Sequence, residues 1–293
     1  MARLEADVAG VRVAVSASGE WLSRTLSARY ERFPALRSGA TAVEVRVVDH
    51  GANCPADSDA AYRAMNAAPF VDGLPDYPLL VERTGSRLDV TSLHLRGWID
   101  LATGRGEALS CTHDQGAAEN FLRVAVARLL LPEGGFLLHA CAVVSGGEAF
   151  VGFGPSGAGK TTLAGLAGSR PVLSDDLVVL RRDGAGRLCA IPTLFRDGGA
   201  PPREGGYPVR RLMRLRKSPV AEVRGPLSMR VAQRPLDHLE GARELLAAMP
   251  YLVDDPESAD GALALADTAS ERPGVTELTF PIDAGVWATV EGS

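Results

Sequence analysis

No stretch of the chain is apolar for long enough to cross a bilayer, because its most hydrophobic region, 124–144, is broken by Arg128, Pro132, Glu133 and two glycines. No membrane role is expected. A basic excess is missing too. With 31 Lys and Arg against 36 Asp and Glu, the net charge is −5, so no overall positive field attracts phosphate backbones and nucleic acid is not expected as a partner. Cysteine is scarce: Cys54, Cys111, Cys141 and Cys189 are scattered without C-x-x-C spacing. Cys141 and Cys189 sit in apolar, strand-like runs where small buried thiols are common, and the cysteines are read as reduced and structural. The amino terminus carries Glu5 and Asp7 where a secretory signal has a basic and then an apolar region, so no export is read and a cytoplasmic protein is expected. No internal repeat or low-complexity tract stands out.

What remains is a globular composition, 46 % hydrophobic and 23 % charged over 293 residues, enough for one large domain or two ordinary ones with a sizeable core. The most informative segment is 150–162. There an apolar strand runs into Gly154, Pro155, Ser156, Gly157, Ala158, Gly159, Lys160 and Thr161, the pattern G-x-x-x-x-G-K-[ST], and then into helix-forming residues. This reads as a phosphate-binding loop. Its glycines let consecutive backbone N–H groups turn inward around phosphates, Lys160 reaches the β- and γ-phosphates, and Thr161 offers a hydroxyl to Mg²⁺. The nucleotide-binding set is therefore Gly154, Ser156, Gly157, Ala158, Gly159, Lys160, Thr161 and Thr162.

Around that loop, hydrophobic periodicity divides the chain into an α+β amino-terminal region, 1–115, and a carboxy-terminal domain, 116–293. The first region reads as strands at 11–15 and 43–48, a helix at 21–30, an irregular excursion over 51–77, and a meander of short strands at 79–82, 88–91, 95–99 and 106–110. A helix over 117–131 is expected to enter the second domain, followed by strands at 135–144 and 148–153 joined by a Gly-Gly turn. An antiparallel partner thus precedes the loop strand, and a strand at 172–181 with a hairpin partner at 187–192 makes the sheet mixed. Helices at 236–248 and 258–269, a strand at 275–280 and a terminal helix at 283–290 complete the reading.

Three further features bear on chemistry. Asp175 and Asp176 follow the loop at the start of an apolar strand; beside a γ-phosphate, paired acids divide the work, one holding Mg²⁺ and the other taking the proton of an attacking hydroxyl. The bland alternative is a solvated pair that opens a strand. His139 lies in an apolar strand, where taken alone a hydrogen-bonded core histidine is the commoner reading. A basic segment with Arg203, Arg210, Arg211, Arg214, Arg216 and Lys217 reads either as a solvated face or as phosphate and acceptor contacts, for which Arg210, Arg211 and the loop residue Arg196 are candidates.

Leu138-His139-Ala140, the 154–161 loop and Leu173-Ser174-Asp175-Asp176, in that order and at that spacing, resemble the catalytic domain of HPr kinase/phosphorylase. The match is strong over 117–190 and weak over the carboxy-terminal hundred residues. The resemblance implies an α/β fold with a P-loop mixed-sheet domain like those of HPr kinase and phosphoenolpyruvate carboxykinase, with ATP and Mg²⁺ as cofactors. It further implies Asp175 as general base toward the acceptor hydroxyl, Asp176 as a metal-associated acid, and His139 as a polar group positioning phosphate or Asp175, beside the Lys160 and Thr161 roles read from the loop itself. Homo-oligomers are implied as well. Glu222-Val223-Arg224-Gly225 has the letters of the glutamate-x-arginine-glycine signature of bifunctional members, but it comes later in the chain and precedes Pro226. The chain looks closer to the HPr-kinase-related kinases of peptide-modification systems, in which the acceptor is a serine of a peptide precursor.

The expectation is thus an ATP- and Mg²⁺-dependent kinase acting on a hydroxyl, most often serine, of a peptide or small protein, with the amino-terminal region recognising the acceptor. Two alternatives stay open: a small-molecule kinase, and an ATP-dependent switch or scaffold that transfers no phosphate.

Overall fold

The computed structural model describes residues 2–18, 24, 27, 42–49, 79–92, 95–110, 115–195, 206–217, 231–252 and 255–292. The excursion at 51–77, the 222–225 tetrapeptide, Arg196, Arg203, Cys54 and Cys111 lie outside the described residues; of the expected helix 21–30 only residues 24 and 27 lie within them, and both are helical. The protein is mixed α/β, with two mixed sheets and few helices. Among the described residues no helix is long and apolar enough to cross a membrane.

The chain divides into two compact units. The first comprises Met1–Leu130 and Tyr251–Ser258, the second Leu131–Pro250 and Ala259–Ser293.

In the first unit, strands β1 (Ala2–Val8), β2 (Val11–Ala17), β3 (Ala42–Asp49), β4 (Leu79–Thr84), β5 (Arg87–Ser92), β6 (Leu95–Asp100) and β7 (Arg105–Ser110) form one sheet in the order β1-β2-β3-β7-β6-β5-β4. Side chains alternate across it, as in β5, where Leu88, Val90 and Ser92 are buried and Arg87 is exposed. Helix α1 (Gln115–Leu130) contacts β2, β3, β6 and β7. From sequence this helix is expected to enter the second domain. Its packing assigns it to the first unit.

Residues 251–258 join that unit through a buried ionic node. The Asp255 carboxylate accepts from Arg128 at 2.9 Å, from Arg83 at 3.0 Å and from the Ser258 hydroxyl at 2.5 Å. Burial alone pushes the Asp255 carboxyl up, but the Ser258 and Arg83 hydrogen bonds and the two guanidinium charges outweigh it, and the group stays below its ordinary value.

The second unit contains β8 (Gly135–Ser145), β9 (Glu148–Phe153), α2 (Lys160–Gly165), β10 (Val172–Ser174), β11 (Leu177–Arg182), β12 (Leu188–Pro192), β13 (Tyr207–Lys217), β14 (Ala232–Pro235), α3 (His238–Ala247), most of α4 (Pro256–Glu271), β15 (Val275–Phe280) and α5 (Val286–Gly292). The pairings β8–β11–β12–β13–β9–β8 close a circuit, from which β15 and β14 extend one edge. β8 lies antiparallel between β9 on one edge and β10 and β11 on the other, whereas β13 runs parallel to both β9 and β15.

Three strands were not expected from the sequence: β1, β13 and β14. In sequence β13 reads as a charge run, because Arg210, Arg211, Arg214, Arg216 and Lys217 crowd into it. Its Met213 and Leu215 nevertheless join Cys141, Phe150, Leu163 and Trp287 in the core under α2 and α5. The strand expected at 172–181 is interrupted between Ser174 and Leu177.

Gly152 marks the tightest approach beneath the loop. A Cβ there would lie 2.9 Å from Leu215 Cδ1, 3.0 Å from Cys141 Sγ and 3.1 Å from Leu163 Cδ2, so the absence of a side chain is what lets α2 settle on β9. Gly152→Val is expected to cost about 1–3 kcal/mol by overpacking. Thermal denaturation checks this, and an unchanged Tm would refute the close contact.

Candidate functional site

The site is assembled where β9 leaves the sheet. Phe153, the last residue of β9, pairs with Ala140 of β8. Beyond it the chain turns away as the loop 154–159, while β8 continues to Gly135. The vacated edge of β8 still carries a backbone donor, and the N–H of His139 gives its hydrogen bond to the carbonyl of Ala248, just past α3, at 2.9 Å. The N–H of Ala140 points to the opposite edge and donates to the carbonyl of Asp176 at 2.9 Å. One β8 dipeptide therefore ties together the loop strand, the end of α3 and the acidic pair.

The loop itself is shaped by its glycines. Gly157 and Gly159 hold φ of 78° and 109°, a region that L side chains rarely adopt, and Gly159 occupies the cap position of α2 without a side-chain hydrogen bond. A single turn bond, Ala158 N–H to Pro155 C=O at 3.1 Å, closes within the loop. Ser156, Gly157 and Thr161 are exposed, Thr162 is partly buried, and Gly154, Ala158, Gly159 and Lys160 are buried.

Lys160 folds back on the loop. Its ammonium donates to the carbonyls of Gly154 at 2.8 Å and Pro155 at 3.1 Å. Burial lowers its pKa from the ordinary value, and the nearby Asp176 carboxylate pulls in the opposite direction. Alternation along β8 puts His139 in the same row as Cys141 and Val143, which face the core under α2.

The acidic pair approaches from the other edge. A register shift between Val172 and Ser174 bulges β10 by one residue, and from Ser174 opposite Ala142 to Leu177 opposite His139 the register is then constant. Asp175 is exposed. Asp176 is half-buried, with its Oδ1 standing 3.4 Å from His139 Nε2. The Ser174 hydroxyl accepts from the N–H groups of Asp176 at 3.2 Å and Leu177 at 3.0 Å, and the Thr193 hydroxyl donates to the carbonyl of Leu177 at 3.1 Å.

Of the residues singled out from sequence, Lys160, Thr161, His139, Asp175 and Asp176 are thus brought to the carboxy-terminal end of β9, beside the middle of β8. His139 meets Asp176, not Asp175. Arg210 and Arg211 are not brought there. Arg211 pairs with Phe150, three positions before Phe153, which is roughly 10 Å back along the strand, and Arg210 is the bulged residue beside it. Arg211 reaches Gln233 at 3.4 Å, and burial and then the charge of Arg210 lower its pKa. The arginine opposite Phe153 is Arg214, held by Glu244 at 3.0 Å.

The hydrogen-bonding roles of Ser174 and Thr193 do not appear among the sequence expectations. For Ser174 a signal existed, since serine hydroxyls commonly bind backbone N–H groups two and three residues on. For Thr193 none did, because its partner is sixteen residues away.

Among the described residues no group of three or more His, Cys, Asp or Glu is arranged to hold a metal unaided. No protein-family model matches the chain, and no curated protein matches it.

Complete burial pushes the Cys141 thiol up to about 12 from 9.0, against weaker downward effects from Gly152 and Lys160. The thiol is therefore protonated at neutral pH. At pH 8, iodoacetamide is expected to leave Cys141 unlabelled in the folded protein and to label it after unfolding, as read by peptide mass mapping. The sign for stability follows: this site disfavours folding only above about 9, where the unfolded chain ionises first, and increasingly so up to about 12. Rapid native labelling at pH 8 would contradict the burial.

Proposed function

We propose that the second unit is a P-loop kinase domain of the HPr kinase-like type, which uses Mg-ATP to phosphorylate a hydroxyl, most often serine, of a peptide or small protein. One observation carries this reading. The pairing of Ala140 with both Phe153 and Asp176 brings a buried loop lysine, an exposed carboxylate and a His–carboxylate pair to the same strand end. Phosphoryl transfer asks for those groups: cationic donors on the γ-phosphate, a base for the incoming hydroxyl and an oxygen ligand for a metal.

In this mechanism Lys160 exchanges the Gly154 and Pro155 carbonyls for β- and γ-phosphate oxygens, and the loop N–H groups take the remaining phosphate oxygens. Asp175, open to solvent, accepts the proton of the acceptor hydroxyl as its oxygen bonds to the γ-phosphorus. The bond from the γ-phosphorus to the bridging oxygen breaks, and ADP departs with the electron pair. Thr161 and Asp176 are hard oxygen donors that suit a nucleotide-borne Mg²⁺, which needs only one or two protein ligands beside phosphate and water. When bound, Mg²⁺ neutralises charge on the phosphate oxygens. His139, with its Nε2 3.4 Å from Asp176 Oδ1, orients that carboxylate.

Asp175→Asn is expected to retain ATP binding while lowering transfer by about 10²–10⁴-fold, and Lys160→Ala to weaken both. The test is transfer of label from γ-labelled Mg-ATP into a size-fractionated extract of the source organism, comparing wild type with Asp175→Asn. Label in a peptide or protein fraction with wild type alone supports the reading. Label in a small-molecule fraction redirects it to a metabolite kinase, and label released only as inorganic phosphate points to a nucleotide-dependent switch.

A further inference from the structure

We infer that Ser174 and Thr193 are positioning residues for the acidic pair, a role that rests on the phosphotransfer reading above. Both hydroxyl side chains are completely buried, and both are spent on the backbone at 176–177. Ser174 Oγ takes the N–H groups of Asp176 and Leu177, Thr193 Oγ1 donates to the carbonyl of Leu177, and the N–H of Ala140 donates to the carbonyl of Asp176. Each backbone polar group of those two residues therefore has a named partner.

The arrangement is not required by chain length. Register is unchanged from Ser174 to Leu177, so β10 and β11 have the spacing to run along β8 as one strand. In an unbroken antiparallel ladder Asp176 and Ala140 would be a residue pair exchanging two bonds. Here the carbonyl of Asp176 stays on the ladder, and its N–H is directed to Ser174 Oγ. That diversion opens the strand for two residues, leaves Asp175 exposed and sets Asp176 beside His139. Thr193, at the end of β12, then pins the point where β11 resumes. A carboxylate on a chain held at both flanks is confined to its working direction, and a displacement of about 1 Å at such a group can lower turnover by about 100-fold.

The experiment uses the full chain, γ-labelled Mg-ATP and the extract fraction that wild type labels. Ser174→Ala is expected to lower kcat by about 10–100-fold while KM for ATP and affinity for a fluorescent ATP analogue stay within about threefold, because the loop is untouched. Ser174→Thr keeps the oxygen and is expected to restore most of kcat. Thr193→Val, which removes one donor at nearly constant volume, should act in the same direction with a smaller effect, and it serves if Ser174→Ala does not fold. Hydrogen exchange at the Asp176 and Leu177 amides should accelerate in Ser174→Ala, and Ser174→Thr should reverse it.

Unchanged kcat in both Ser174→Ala and Thr193→Val would overturn the positioning role, as would kcat and nucleotide affinity falling together in step with Tm. A wild-type chain that binds ATP but labels no fraction is a different result. It would sink the phosphotransfer reading, and this role with it.

Discussion

The candidate site depends on how β8 satisfies its backbone after β9 departs. Successive N–H groups of a strand point to opposite edges, and a buried donor left without an acceptor costs about 1–3 kcal/mol. At His139 the bond is made by Ala248, and at Ala140 by Asp176. Each bond brings a different part of the second unit to the point where the loop begins. The convergence of loop, histidine and acids thus follows from hydrogen-bond accounting along one strand, with no need for the side chains to find one another.

Burial then sets the electrostatics of that point. Lys160 is taken largely out of water, and its ammonium is kept in place by two loop carbonyls and by the neighbourhood of Asp176. A buried ammonium with neutral acceptors is poised to exchange them for an anion, since charged acceptors form the stronger hydrogen bond. Directly beneath, Cys141 is packed against Gly152 and α2 and stays a neutral thiol. It serves as small core filling under the loop.

Much of the second unit was legible as local pattern. The strand, glycine-rich loop and helix over 148–165 could be read because turn chemistry and apolar periodicity agree over consecutive residues. The hairpin of β8 and β9 announced itself through Gly146 and Gly147, which hold φ of 58° and 82°. The acids stood out by adjacency. What could not be read involves partners remote in sequence. β13 looks like a solvated basic run until β9 and β15 are placed on either side of it. Arg210 and Arg211 look as eligible as any arginine until that register sets Arg211 opposite Phe150, three positions before Phe153, the last residue ahead of the loop. α1 is apolar over most of its length, and only contact with β2, β3, β6 and β7 assigns it to the first unit.

By itself, the sequence determined which residue types were available and the local structure they adopt: a loop whose glycines permit positive φ, a strand carrying a lone histidine, and two adjacent acids. Only the tertiary structure decided that the histidine faces Asp176 and not Asp175, that Arg211 reaches Gln233, and that Thr193 closes on Leu177. The reason is physical. Backbone dihedrals and hydrophobic period are properties of neighbours along the chain, whereas register between strands is set by long-range pairing, and a slip of one residue would turn every side chain to the other face.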